Sequence, residues 1–213
     1  MDPGLLLSFM LANVLLAFAP GPDNICVLTE STTRGRLRGF ILALGFTSGV
    51  TVHTLLCATG LALVIKNSPA ALFALKAFGA LYLSWLCVEA FRENPTMRDG
   101  AASAGAPSSG KIKSLPALYV QGFIMNVINP KVIIFFLAFL PGFVRQDAPI
   151  SETAQFFVLG FLFMLTTVVV FGLIAFLGGG LRPLLAKAGF WRAERWVRVA
   201  LFGALAAFVA FGI

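Results

Sequence analysis

Two short runs set helix-breaking residues beside ionisable ones inside otherwise apolar sequence: Pro20-Gly21-Pro22-Asp23-Asn24 and Asn129-Pro130-Lys131. Proline deletes a backbone donor and breaks the preceding turn, so each run exposes carbonyls before it and N–H groups after it. In a hydrocarbon solvent such groups are tolerated only against protein or a wet cavity. An N–H set at a half-helix N-terminus suits a carboxylate, and freed carbonyls suit an ammonium. Asp23 and Lys131 add one charge of each sign, each costing roughly 2.5–3.5 kcal/mol at the centre of a membrane helix. A buried pair that only staples two helices is the competing account, and apolar side chains would staple more cheaply. The paired breaks therefore point to a transporter binding site made by Pro20, Gly21, Pro22, Asp23, Asn24, Asn129, Pro130 and Lys131.

His53 is the only histidine, and Gly45, Gly49, His53 and Cys57 recur every four residues as one small-residue stripe. Such a stripe lets another helix approach closely. His53 is then either a proton-linked residue, alongside Asp23 and Lys131, or an interhelical hydrogen bonder; the sequence leaves both open.

Other chemistries lack their residues. Cys26, Cys57 and Cys87 form no C-x-x-C pair, and a buried cysteine usually behaves as a small hydrophobe. A thiol–disulfide relay needs a cysteine at each break; Cys26 follows the first, but residues 127–140 contain none. A metal-ion exporter needs clustered soft ligands, and the sequence offers one histidine with no carboxylate or cysteine cluster. A purely structural membrane protein leaves the paired breaks unexplained. No cofactor, metal or enzymatic reaction is expected.

The elements that must position these residues follow from composition. The chain has 213 residues, 59% hydrophobic and 12% charged, with mean hydropathy +0.92, against about 25% charged in soluble domains. Apolar runs of membrane length predict an all-α polytopic membrane protein with six spans, at 5–33, 39–65, 69–91, 115–143, 154–181 and 196–213. The first run imitates a secretory signal ending in Ala17-Phe18-Ala19, but no basic residue precedes it and apolar sequence resumes at Ile25. It is expected to remain as the first span. The net charge of +7 is not interleaved with aromatics, so it marks cytoplasmic loops and anionic lipid, not nucleic acid.

Loop charge sets the orientation. The first, third and fifth loops hold 12 Lys and Arg, the remaining segments 2. The positive-inside rule puts both termini outside the cytoplasm and an even number of spans between them. A linker at 94–114, rich in Ala, Gly, Ser and Pro, separates two three-span halves, 1–93 and 115–213, within one transporter domain. Three being odd, the second half enters from the opposite face: an inverted 3+3 repeat with broken helices 1 and 4. At about 1.5 Å per residue both breaks fall near mid-bilayer, too imprecisely to say whether Asp23 and Lys131 touch. Lys76, the i,i+4 pair Glu30–Arg34 and the i,i+3 pair Glu89–Arg92 read as structural, and Tyr82, Trp85 and Trp196 as packing or interface anchors.

The pattern as a whole resembles the lysine-exporter/homoserine–threonine-exporter (LysE/RhtB) family. The resemblance is carried by Pro20-Gly21-Pro22-Asp23-Asn24, Ser31 through Arg34-Gly35-Arg36 and Gly39, and Leu44-Gly45 with Gly49. It continues through Gly60-Leu61, Gly79-Ala80-Leu81-Tyr82-Leu83, Asn129-Pro130-Lys131 and Phe139-Leu140-Pro141. It covers residues 5–145 well and the last two spans by hydropathy; Cys87 stands where the pattern usually has Gly. The resemblance implies a multi-pass exporter of amino acids or close derivatives in the bacterial inner membrane, driven by protons. Since Asp23 and Lys131 cancel and no further deep acid is seen, a neutral amino acid is the expected substrate. Expected partners are that substrate, protons and membrane lipids, with a homodimer admitted.

Overall fold

In the computed structural model, residues 3–18, 21–93, 112–185 and 188–211 are described, and they are helical almost throughout with no strand among them. The helices are α1 (Pro3–Phe18), α2 (Pro22–Arg34), α3 (Arg36–Leu56), α4 (Ala62–Asn67), α5 (Pro69–Arg92), α6 (Leu115–Val127), α7 (Pro130–Ile134), α8 (Glu152–Leu185) and α9 (Ala188–Phe211). Single π-helical segments join α3 to α4 (Cys57–Leu61) and extend α7 (Phe135–Phe139), and a 3-10 turn follows at Leu140–Phe143.

Local sequence explains the boundaries. Ser68 and Ser114 begin α5 and α6, their hydroxyls accepting from the N–H of Ala71 at 3.2 Å and of Ala117 at 3.4 Å, with proline in the first turn of each helix. That is the usual N-terminal grammar of a helix. Gly35 separates α2 from α3 at φ 108°, a conformation that favours glycine, and its N–H closes α2 on the Ser31 carbonyl at 3.1 Å.

Three helices are each long and apolar enough to cross a bilayer: Arg36–Leu61, Ala70–Arg92 and Glu152–Gly178. The broken pairs α1–α2 and α6–α7, bent by 59° and 48°, raise this to five if each pair is one crossing. The chain is a polytopic all-α membrane protein. The expected sixth span, 196–213, falls in α9, whose first half carries Arg192, Glu194, Arg195 and Arg198. Among the described residues α9 is not one of the helices that meet this length and hydropathy. Most of the expected linker, 94–111, lies outside the described residues.

Packing is closest where α3 meets α6. A Cβ added at Gly45 would stand 2.1 Å from the Tyr119 carbonyl oxygen, and one at Gly122 would stand 2.2 Å from that of Leu42. Glycine here lets backbone touch backbone, which helices in lipid exploit because apolar burial gives them no advantage over lipid tails. The expected stripe on α3 thus lies along the α6–α7 span: Gly45 at Tyr119, Gly49 at Asn126, His53 at Asn126, and the Cys57 thiol donating to the Phe136 carbonyl at 3.5 Å. Beyond that contact α3 packs on α8, α1 and α2 pack on α8, and α5 packs on α9. The π segment is pinned by aromatic packing, with Phe135 against Phe139 at 4.7 Å and Phe136 against Phe163 at 5.1 Å between ring centroids. Large apolar side chains such as Phe73, Leu81 and Phe161 face outward.

Candidate functional site

The two breaks meet. Gly21 and Asn129 are the N-cap residues of α2 and α7; Pro22 and Pro130 open the helices, and Asp23 and Lys131 follow. Lys131 Nζ lies 3.5 Å from Asp23 Oδ2, with the two side chains 14% and 6% exposed. More than a hundred residues of sequence separate these charges, and sequence spacing gave no means of showing their contact. Pro20 lies outside the described residues.

Each break leaves the last carbonyls of one helix without intrahelical donors, and side chains from elsewhere supply them. At the end of α1, Asn24 Nδ2 donates to the Ala17 carbonyl at 2.9 Å and Lys131 Nζ to the Leu16 carbonyl at 3.4 Å. At the end of α6, the Asn126 carbonyl accepts the Asn129 N–H at 2.9 Å and stands 3.3 Å from His53 Nε2. A carbonyl only accepts, so the proton of a neutral imidazole there is on Nε2. His53 also packs on the Phe136 ring, 5.6 Å between centroids. Its observed contacts are those of a helix-break partner on α6–α7, while Lys131 joins α7 to both Asp23 and α1.

The electrostatics of the pair are unequal. A helix N-terminus carries partial positive charge, so Asp23 in the first turn of α2 is favoured and Lys131 in the first turn of α7 is not. Lys131 avoids that cost by reaching back to the carbonyl end of α1, where the dipole is negative. Asn129 Oδ1 accepts from the Lys131 N–H at 3.0 Å, so the second break carries its own side-chain cap. Gly21 supplies none. It supplies space instead: a Cβ there would lie 2.5 Å from Asp23 Oδ1 and 3.3 Å from Lys131 Nζ.

Several polar groups in this region have no hydrogen-bond partner among the described residues. Asp23 Oδ1 and Asn126 Oδ1 are buried acceptors of this kind, and Asn13, 1% exposed on α1, lacks partners for both its amide atoms. Neither Asn13 nor Asn126 was singled out from the sequence. The signal was present, since an amide inside an apolar run carries a desolvation cost, but its partners were not visible.

Two cavities flank the pair. One of about 230 Å³ is bounded by Pro22, Asp23, Phe46, Met125 and the second break at Ile128–Pro130. The other, of about 550 Å³, runs from Gly21 and Pro22 out between the end of α5 and the start of α9. Two charge clusters lie at helix ends. Glu30 of α2 is bound by Arg34 at 3.3 Å and by Arg38 of α3 at 2.8 Å, and Arg38 Nη2 also donates to the Lys113 carbonyl at 2.6 Å. At the other, Arg198 of α9 pairs with Glu93 at the end of α5. The expected Glu89–Arg92 pair is not among the ion pairs of the described residues.

A family model described as LysE type translocator matches residues 14–212. A homoserine/homoserine lactone efflux protein of Salmonella typhimurium is 30% identical over 76% of this chain and 73% of its own length. A leucine efflux protein of Klebsiella pneumoniae is 29% identical over 70% of this chain and 68% of its own. An uncharacterized membrane protein of Pseudomonas aeruginosa is 30% identical over 97% and 92% respectively. No solved structure gives a significant match.

Proposed function

The chain belongs to the LysE type translocator family, and from that premise we propose that it exports a neutral, zwitterionic amino acid or close derivative across the bacterial inner membrane in exchange for protons. The observation that carries the proposal is the meeting of the two breaks through Asp23 and Lys131, 3.5 Å apart and nearly sealed from solvent. The relatives that carry out homoserine and leucine efflux support the substrate class, and neither name implies a dibasic molecule.

In this reading the substrate ammonium displaces Lys131 from Asp23, and Lys131 falls back on the α1 carbonyls it already contacts. Asn24, Asn129 and the N–H groups of the restarted helices receive the rest of the zwitterion. A proton taken from outside neutralises Asp23 and releases the ammonium; its return to the cytoplasm from the inward-facing state resets the site. One amino acid leaves as one proton enters. His53, held on the Asn126 carbonyl, is assigned to structure.

The architecture proposed with this mechanism has six crossings and both termini outside the cytoplasm, with α9 as the last and its arginines at the cytoplasmic edge beside Glu93. Helix pairing supports an inverted repeat. α3 packs on α8 and α5 on α9, each pair joining equivalent members of the two halves. α3 also packs on α6 as α8 packs on α1 and α2.

The test is efflux from loaded proteoliposomes of leucine, homoserine and lysine, followed by uptake into inverted vesicles under an imposed pH gradient. Neutral substrates should move, and Asp23→Asn should stop gradient-driven accumulation. Movement of lysine alone overturns the substrate class. Wild-type accumulation by Asp23→Asn overturns the coupling role.

A further inference from the structure

The 550 Å³ cavity is not needed to explain the ion pair, yet Pro22, the chain neighbour of Asp23, lines it. Gly21 lines the cavity, and a Cβ there would fall 2.5 Å from Asp23 Oδ1. That oxygen is buried and has no hydrogen-bond partner among the described residues. Asp23 spends Oδ2 on Lys131, and Gly21, a residue with no side chain, borders both its Oδ1 and the cavity. The walls are apolar at Trp85, Leu86 and Phe202, with Glu89 and Arg92 beside them on α5. Both charged residues are exposed, and neither enters an ion pair among the described residues; the neighbouring Glu93 pairs with Arg198 of α9. Three residues apart on a helix, their side chains neighbour one another at about 5–6 Å between Cβ atoms. One acid and one base at that spacing match the ammonium and carboxylate of an α-amino acid. The volume lies within the usual range for small-molecule sites, about 300–1,000 Å³.

Resting on the export reading above, we propose that this cavity is a receiving site for the zwitterionic substrate on the cytoplasmic side, separate from the Asp23–Lys131 site. Glu89 takes the ammonium, Arg92 takes the carboxylate, and the substrate side chain lies against Trp85. Gly21 is the aperture through which the ammonium passes from Glu89 to Asp23 Oδ1. The Glu93–Arg198 bridge frames the site by holding α5 to α9.

The probes are leucine and homoserine, added to reconstituted protein while the fluorescence of Trp85 is followed by difference against Trp85→Phe, with efflux kinetics on the same variants. Asp23→Asn should keep the fluorescence titration near its wild-type midpoint while transport stops, because the receiving site precedes the ion pair. Glu89→Gln and Arg92→Gln should each raise KM about tenfold, the equivalent of one charge-assisted contact, with the maximal rate kept. Glu89→Asp should recover part of that loss, which a merely structural residue would not require. Wild-type KM in both Glu89→Gln and Arg92→Gln overturns the receiving site, as does loss of the titration in Asp23→Asn. These outcomes differ from failure of the export reading, in which wild-type protein moves neither probe.

Discussion

The two helix breaks use the same grammar for different ends. Each is an N-cap, a proline and a charged residue in the first turn, yet one reads Gly21-Pro22-Asp23 and the other Asn129-Pro130-Lys131. The second is capped from within, the Asn129 side chain accepting from its own helix at 3.0 Å, with His53 of α3 on the Asn126 carbonyl before it. The first is not: its glycine contributes room, and the carbonyls ahead of it depend on Asn24 and on Lys131 from the other half. The signs of charge follow. An acid suits the positive start of α2, whereas a lysine at the start of α7 is stable only by leaving its own helix for the negative end of another. One break is thus a scaffold that sends a cation across, and the other is a receptor for it. A receptor whose cation is borrowed can exchange it for a substrate ammonium.

The largest effect should come from cutting that exchange. Lys131→Met strands Asp23 in low dielectric and leaves the Leu16 carbonyl short of a donor, so it should cost about 3–5 kcal/mol, read as a lowered melting temperature in detergent. Adding Asp23→Asn should recover most of that stability without restoring gradient-driven transport. If Lys131→Met melts with the wild type, the first break does not depend on the second.

Gly21→Ala comes next. Its Cβ would meet Asp23 Oδ1 at 2.5 Å, so the carboxylate must move; about 1–3 kcal/mol of overpacking and loss of efflux are expected. Unimpaired efflux would show that the space above the pair is idle. At the equivalent position Asn129→Ala should cost about 1 kcal/mol, the usual value of an N-cap side chain. Asn129→Ser, which keeps a capping oxygen, should be closer to wild type by the same melting assay.

The smallest effect belongs to His53. His53→Leu removes one contact of 3.3 Å to the Asn126 carbonyl and should cost about 0.5–1.5 kcal/mol, with pH-gradient-driven uptake into inverted vesicles retained. If that uptake stops while the protein stays folded, proton coupling passes from the first break to the second.

Short-range features were legible in the sequence. The proline runs and the small-residue stripe depend on spacings of a few residues, which helical geometry fixes. Partner choice was legible only in part. Glu30 does meet Arg34 one turn away, but Arg38 comes closer, because the turn at Gly35 folds the start of α3 back on α2. At the end of α5 helical spacing suggested Glu89 with Arg92, whereas Glu93 pairs with Arg198 of α9. A long-range ion pair outranks a local one where two helix ends dock and exclude water.

By itself the sequence determined that this chain is helical, membrane-embedded and twice broken, because hydropathy, proline geometry and loop charge are properties of short segments and their solvent. Only the tertiary structure decided that the breaks touch, that Lys131 closes α1 while His53 sits on α6, and that Glu89 and Arg92 line a cavity. Those facts depend on how α3 seats on α6 through Gly45 and Gly122 and how α5 seats on α9. Contacts between elements far apart in sequence turn on a few ångströms of packing, which residue type and spacing do not encode.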